Sequence, residues 1–313
     1  MNSAVMLGLV LLGTYGLTAL VLSGLVVLVW NAGLKQKAVG STELLVLRLL
    51  PAAGGLLVVL TVVLPAFLSH EPHQQREAAG PVLVVLAALS FLALALGGWR
   101  SWQAFRTARS LLGNCGPAGR WVVAGGQKVK VVNVPEPFVA VVGGWRPRIV
   151  ATECVISACS EEEFQQVIAH EAAHVSARDN LKQLLVIASP DALSWTRVAA
   201  DLTRRWRAAA ELEADQRATE NDPRKRVALA AALIKVARAW GAAQRVRPVL
   251  SMPVASDDVE ARVRKLLAPP DPLPPKLVSA KAVAWCALLI PVAALPLYSC
   301  VHKLVEALVR LGL

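Results

Sequence analysis

Two histidines and a glutamate in the stretch VIAHEAAHVSARDN, residues 167–180, have the types and spacing of a catalytic metal centre. His170 and His174 are four residues apart, so on a helix both imidazoles project from one side, about one turn apart. They can therefore bind one zinc ion. Glu171 lies on the neighbouring strip, where it can take a proton from an attacking water rather than bind the metal. The motif predicts zinc-dependent hydrolysis.

The competing interpretation is a pair of buried structural histidines beside a salt-bridged glutamate. The chain has 5 histidines, and between residues 99 and 275 only the two in this motif occur. That distribution favours a metal site. A purely structural site would need the histidines but not Glu171, which argues against a non-catalytic membrane scaffold with a vestigial metal site.

A third metal ligand is expected in the stretch AAAELEADQRA, residues 208–218. Catalytic zinc usually has three protein ligands and one open position. Because no third histidine lies between residues 99 and 275, a carboxylate must serve. Glu211 and Asp215 are at i, i+4 on a predicted helix. We predict that Glu211 binds the metal and that Asp215 orients a ligating histidine through its other ring nitrogen.

The region before the motif, residues 119–152, has the pattern of β-strands. Alternating residues and the turn at 143–145 predict a hairpin. Pro135 and Pro137 confine their neighbourhood to an edge strand or a bulge. An edge strand can accept an extended peptide as an added strand. Arg146 and Arg148 are weak candidates for substrate binding, with solvated turn charges as the alternative.

Helices are predicted after the strands. Ser160 followed by Glu163 is a capping-box spacing at the start of the motif helix. Further helices are predicted at about 192–219 and 224–242, and over the stretch VEARVRKLL, residues 259–267. Strands followed by helices predict an α+β zincin-like metallopeptidase domain over residues 99–275.

The rest of the chain predicts a multi-pass α-helical membrane protein. Hydrophobic residues make up 55% of the sequence, and they concentrate in four blocks long enough for transmembrane helices, at about 4–30, 44–68, 81–98 and 277–301. Residues 1–98 would then hold three spans, and residues 276–313 a fourth span and a short tail. Arg48 interrupts the second block, and we expect it to extend toward Lys35 and Lys37.

The charge pattern predicts the orientation of the spans. The net charge is +11, and basic residues flank the first loop and both ends of the 99–275 segment. Cytoplasmic loops carry such an excess, so we expect the peptidase domain in the cytoplasm and the amino terminus outside. The lipid bilayer is the expected partner, and no direct nucleic-acid binding is expected, because no basic run alternates with aromatic residues. The odd count of 5 cysteines, without a C-x-x-C pair, argues against a disulfide framework or a thiolate zinc site.

The motif HExxH is followed by RDN after its second histidine and, further along the chain, by ExExD. The stretch PFVAVVGGWRPRIVAT precedes the motif helix, and VEARVRKLL follows it. Together these stretches resemble the BlaR/MecR-type membrane zinc metallopeptidases. The HtpX/CaaX-protease type is the second choice. The resemblance implies Zn²⁺ bound by His170, His174 and Glu211, with Glu171 as the base. It also implies cleavage of a cytosolic protein, typically a winged-helix transcriptional repressor in a signalling pathway. HtpX-like quality control of membrane proteins is the alternative, and a homodimer is left open.

One feature departs from the antibiotic-sensing members of that family. They carry an extracellular ligand-binding domain after the last span, whereas this sequence reaches Leu313 without one and contains no acylatable serine motif. We therefore expect any signal to enter through the second loop, the spans or a partner protein.

Overall fold

The computed structural model describes residues 3–70, 79–114, 119–134, 137–144, 146–189, 191–242 and 256–269. These residues form two compact units. The first comprises residues 3–99 and 186–204, and the second comprises residues 100–185 and 205–269. The predicted fourth span, at about 277–301, lies outside the described residues.

Three helices in the first unit are long and apolar enough to cross a membrane. Helix α1 spans Ser3–Asn31. Helix α2, Ser41–Val58, continues through a π-helical turn, Val59–Val63, into α3, Leu64–His70. Helix α4 spans Pro81–Asn114. The candidate spans are Ala4–Asn31, Ser41–Ser69 and Pro81–Thr107, and they expose large apolar side chains, as lipid-facing helices do.

Two features of these helices differ from the sequence-based expectation. Helix α4 does not end near Trp99 but continues to Asn114, because no glycine or proline follows Gly98 until Gly113, one residue before the helix ends. The side chain of Arg48 does not extend toward Lys35 and Lys37. It is buried against Asp191 instead, with 3.3 Å between Nη1 and Oδ2.

The second unit contains a four-stranded mixed sheet with strands β1, Arg120–Ala124, β2, Gln127–Val132, β3, Val139–Val142, and β4, Arg148–Thr152. The strand order is β1-β2-β4-β3. β1 and β2 form an antiparallel hairpin, β2 and β4 are parallel, and β3 and β4 are antiparallel. The predicted hairpin around residues 143–145 is thus present as β3–β4. Strand β3 lies at an edge of the sheet.

Helices follow the sheet. They are α5, Glu153–Ala158, α6, Glu161–Ala177, α7, Asp179–Ala188, α8, Arg197–Thr219, α9, Pro223–Ala242, and α10, Ser256–Leu267. A short 3₁₀ helix, Ala192–Trp195, separates α7 from α8. Helix α9 starts with Pro223, a residue favoured in the first helical turn because its missing N–H needs no partner there.

The sheet and the later helices hold α6 between them. One face of the sheet packs on Phe164 and Ile168 of α6, and Ile168 is fully buried. On another side of α6, Ala169 packs against a cluster formed by α8, α9 and α10. Burial of apolar surface stabilises such packing by about 25 cal/mol per Å². The apolar residues on these sides of α6 therefore fix the rotation of the helix about its axis. Its histidines therefore face α8 and α10.

Candidate metal centre

Helix α6 presents both motif histidines from one rigid element. Its first turn is closed by the predicted capping box: the Glu163 N–H donates to Oγ of Ser160 at 3.2 Å, and the Ser160 N–H donates to Oε2 of Glu163 at 2.7 Å. Lys235 of α9 also pairs with Oε2 of Glu163, at 2.6 Å. The start of the helix is thereby fixed, and His170 and His174 are buried in its last two turns.

The three predicted ligands lie together. Nε2 of His170 and Nε2 of His174 are 3.1 Å apart. One oxygen of Glu211 is 3.4 Å from Nε2 of His170, and the other is 3.6 Å from Nε2 of His174. A tetrahedral zinc ion with ligand bonds of ~2.0–2.2 Å separates its ligand atoms by roughly 3.3–3.6 Å. Two nitrogens and a carboxylate at this spacing fit such an ion.

Asp179 holds the ring of His174. Its Oδ2 lies 2.8 Å from Nδ1 of His174, and its Oδ1 accepts from Nζ of Lys182 at 2.9 Å. The contact depends on Arg178, which adopts the left-handed conformation with φ 57° and lets the chain turn back from α6 into α7. Outside glycine this conformation costs roughly 1–2 kcal/mol. The bond to Nδ1 leaves Nε2 free to face a metal.

Arg262 of α10 joins the two carboxylates of α8. Its Nη1 lies 2.7 Å from Glu211, and its Nη2 and Nε donate to the two oxygens of Asp215 at 2.6 and 2.9 Å. Asp215 Oδ1 also lies 2.9 Å from Nδ1 of His170, an ion-pair distance without the alignment of a hydrogen bond. Arg226 fixes the end of α10 by donating to the carbonyl oxygens of Lys265 and Ala268 at 2.7 and 2.5 Å.

The charges of these groups shift their pKa values in opposite directions. Burial alone lowers the pKa of His174, but the hydrogen bond to Asp179 and the proximity of Glu211 outweigh it and raise that pKa to about 10. Burial and Arg262 also oppose protonation of His170, yet its pKa is raised by Asp215 and Glu211. Burial favours the neutral form of Glu211, but Arg262 and the histidines hold its pKa well below its usual value. Glu211 is therefore an anion ready to bind a cation.

Glu171 lies in a cavity beside the ligands. The cavity is lined by residues of β3, α6, α7, α8, α9 and α10, and its larger apolar lining residues are Val139, Val141, Val167, Leu229, Leu233 and Val236. Burial raises the pKa of Glu171, and the positive charges of the histidines and Arg262 only partly offset this. A carboxylate with a raised pKa is a stronger proton acceptor.

Asn180 closes part of the β3 edge. Its side-chain amide donates to the carbonyl oxygens of Val141 and Gly143 at 2.8 and 3.2 Å. The backbone of Phe138, by contrast, faces β4, because its carbonyl oxygen accepts a hydrogen bond from the Thr152 N–H at 3.0 Å. Since backbone groups alternate in direction along an antiparallel strand, the N–H and C=O of Val139 point away from β4, toward the outer edge.

The structure brings together His170, His174, Glu171, Glu211 and Asp215, all of which the sequence singled out. Arg146 and Arg148 do not line the cavity: both are exposed, Arg146 between β3 and β4 and Arg148 at the start of β4. Sequence reasoning missed Arg262 and the contacts of Asp179 and Asn180. The only available signal for the last two was the RDN that follows the second histidine.

Three side chains that could hold a metal ion on an α+β unit, with three helices among the described residues that could span a membrane, are the features of the class of membrane metallopeptidases. The chain belongs to the BlaR1 peptidase family, M56, whose family model matches residues 66–266. That match covers the sheet, the candidate metal centre and α10 as far as Leu266. No curated protein and no solved structure matches the chain significantly.

Asp179→Asn is expected to weaken metal binding about 10–100-fold, because an amide holds the His174 ring less firmly and does not raise the basicity of its other nitrogen. Chelator competition would measure the affinity. Asp201→Asn, a substitution of a partly exposed aspartate in α8, serves as the control and should leave the affinity unchanged. Equal affinities for both variants would contradict the role given to Asp179.

Metal affinity is expected to increase with pH. The pKa of His174 is raised to about 10 when no metal is bound, so at neutral pH a metal must displace a proton from His174. Where His170 is also protonated, the metal must displace that proton too. Each displaced proton changes the apparent affinity by about tenfold per pH unit. We expect an increase of about 10–100-fold between pH 6 and pH 7, measured by chelator competition at each pH. An affinity independent of pH would contradict the protonation states assigned here.

Proposed function

We propose that this protein is an integral-membrane zinc metalloendopeptidase that cleaves a cytosolic protein. The observation that carries the proposal is the convergence of two Nε2 atoms and the Glu211 carboxylate at the spacing of a tetrahedral ion, beside Glu171. His170, His174 and Glu211 would hold the zinc. When bound, zinc supplies a Lewis acid that makes water more acidic and polarises a carbonyl group.

The residues around the ion have separate tasks. Glu171 accepts a proton from the attacking water and later transfers it to the departing amine, for which its raised pKa is suited. Asp179 and Asp215 hold the two imidazole rings. Arg262 contacts the carboxylates of Glu211 and Asp215, fixes their positions on α8 and balances their negative charge. The tasks of Asp179, Asp215 and Arg262 follow from contacts within 3 Å, and that of Glu171 follows from its place in the cavity.

A peptide substrate would bind along β3. The outward-facing backbone of Val139 can pair with an extended chain as an added strand, whereas Asn180 already occupies the carbonyl oxygens of Val141 and Gly143. The added strand would therefore lie along the first part of β3. The valines and leucines that line the cavity favour an apolar side chain of the substrate next to the cleaved bond.

The charge pattern supports the proposed location, and the family supports the proposed substrate. Lys35 and Lys37 between α1 and α2, with Arg100 and Arg106 in α4, support a cytoplasmic peptidase unit and an amino terminus outside. A cytosolic repressor, cleaved in a signalling pathway, is the substrate that the resemblance to BlaR/MecR-type peptidases supports.

A comparison of cellular protein fragments tests the proposal. Cells expressing the wild-type chain are compared with cells expressing Glu171→Gln at equal levels. We expect one cytosolic fragment that depends on Glu171. Many membrane-protein fragments would support the quality-control alternative instead, and fragment sets that do not differ would contradict a peptidase function.

A further inference from the structure

A buried ion pair joins the second apolar helix to a segment more than a hundred residues later. The side chain of Arg48 is 6% exposed, and its Nη1 lies 3.3 Å from Oδ2 of Asp191, whose side chain is fully buried. Nη2 of Arg48 donates to Oγ of Ser194 at 2.8 Å and lies 3.4 Å from the carbonyl oxygen of Ser189. One guanidinium therefore contacts three groups of the same short segment.

This segment, of which the structure describes residues 189 and 191–196, also contacts α1, and we call these residues the connecting segment. Asp191 and Ser194 form a capping box that closes the 3₁₀ helix Ala192–Trp195. Leu193 is fully buried, and its N–H donates to Oγ of Ser23 in α1 at 3.1 Å. The connecting segment is thus held by polar contacts to both α1 and α2.

The contacts on the two helices lie at the same depth. Ser23 precedes the end of α1 at Asn31 by eight residues, and Arg48 follows the start of α2 at Ser41 by seven. With a rise of ~1.5 Å per residue, both lie about 10–12 Å along the helix from the ends that meet in the α1–α2 loop. This depth is inside the apolar length of both candidate spans. A carboxylate there is stable only when paired.

The connecting segment also joins α7 and α8, each of which carries residues of the candidate metal centre. Before it, α7 begins at Asp179, the partner of His174. After it, α8 carries Glu211 and Asp215. We propose that Arg48 is a positioning residue of the metal centre: by holding Asp191, it fixes the connection between α7 and α8, so that α1 and α2 set the position of Glu211 relative to the histidines. This inference rests on the proposed metal-binding function.

The test uses the full chain in phosphatidylcholine bilayers, with Leu193→Cys as a reporter in every variant. Two quantities are measured. The first is the rate at which a membrane-impermeant maleimide labels position 193, and it is determined on the peptide that contains this position after its isolation. The second is cobalt binding, described by the affinity and by the absorption spectrum of the bound ion. Arg48→Met leaves Asp191 without a cation, so the connecting segment should leave its site. We expect labelling at least about tenfold faster and cobalt affinity about tenfold lower with an altered spectrum.

Two further variants complete the comparison. Lys37→Met removes a positive charge from an exposed residue in the α1–α2 loop and should change neither quantity. Arg48→Lys keeps the charge but loses the planar fork of donors, so intermediate values are expected. A purely structural role for Arg48 predicts faster labelling with unchanged cobalt affinity and spectrum, and that result would overturn the inference. So would an Arg48→Met protein that behaves like the Lys37→Met control.

If Arg48→Met does not accumulate in membranes, the double variant Arg48→Met/Asp191→Leu takes its place, since removing both charges avoids a buried unpaired carboxylate. The double variant still lacks the contacts of Arg48 to Ser189 and Ser194, so its cobalt binding should remain weaker than that of the wild type. Cobalt binding equal to that of the wild type would overturn the inference. Neither readout depends on peptide hydrolysis. A protein that responds to Arg48→Met as expected but cleaves no substrate would contradict the proposed function and not this inference.

Discussion

Glu171→Gln is expected to abolish cleavage while the protein still binds zinc. The substituted amide keeps the shape of the side chain but cannot accept a proton, and loss of a positioned general base slows a reaction by about 10²–10⁴-fold. The three proposed metal ligands are untouched, so metal content should equal that of the wild type. Turnover of a purified substrate and zinc content per chain are the two measurements. Undiminished turnover would exclude Glu171 as the base.

Two comparisons make this result specific. Glu162→Gln changes an exposed glutamate in the first turn of the same helix, so it should leave both turnover and zinc content unchanged. His174→Ala removes a ligand and should lose both. Loss of zinc from Glu171→Gln would mean that Glu171 supports the metal rather than the proton transfer.

Arg262→Met is expected to destabilise the metal-free protein by about 3–5 kcal/mol, because it leaves Glu211 and Asp215 buried without their cation. The guanidinium makes contacts of 2.6–2.9 Å with both carboxylates, and its side chain is 5% exposed. A bound metal would supply positive charge to Glu211, so zinc should restore part of the loss. Thermal unfolding with zinc and with chelator measures both effects.

Arg264 provides the matched control. It lies two residues further along α10, with a side chain that is 78% exposed and pairs with Glu260 at 2.7 Å. Exposed pairs of this kind contribute about 0–1 kcal/mol, so Arg264→Met should change the unfolding temperature little, with or without zinc. Equal effects of Arg262→Met and Arg264→Met would contradict the role of Arg262 in holding the carboxylates.

The parts of the site that the sequence predicted depend on local spacing. His170 and His174 share a helix face because four residues make about one turn. Ser160 and Glu163 close the start of that helix because their side chains reach each other's backbone three residues away. The turn at 143–145 predicts the β3–β4 hairpin in the same way. Even Glu211 and Asp215, on another helix, were found by their i, i+4 spacing and by the absence of a third histidine.

The parts that the sequence did not predict depend on which distant segments meet. Arg262 looked like one more basic residue near the end of the peptidase segment, yet 47 residues separate it from Asp215, its partner. Arg48 looked like a charge that would extend to the membrane surface, but it pairs with Asp191 across 143 residues. Local pattern cannot distinguish a cation that is solvated from one that a remote carboxylate will bury.

The candidate metal ligands, the candidate base, the family resemblance and the three described apolar helices could therefore be predicted from the sequence, since each is encoded in the order and spacing of neighbouring residues. The tertiary structure alone decided which charges are balanced inside: Arg262 by the carboxylates of α8, Asp179 by His174, and Arg48 by Asp191. The physical reason is desolvation, because a buried charge is tolerated only where packing brings an opposite charge to it.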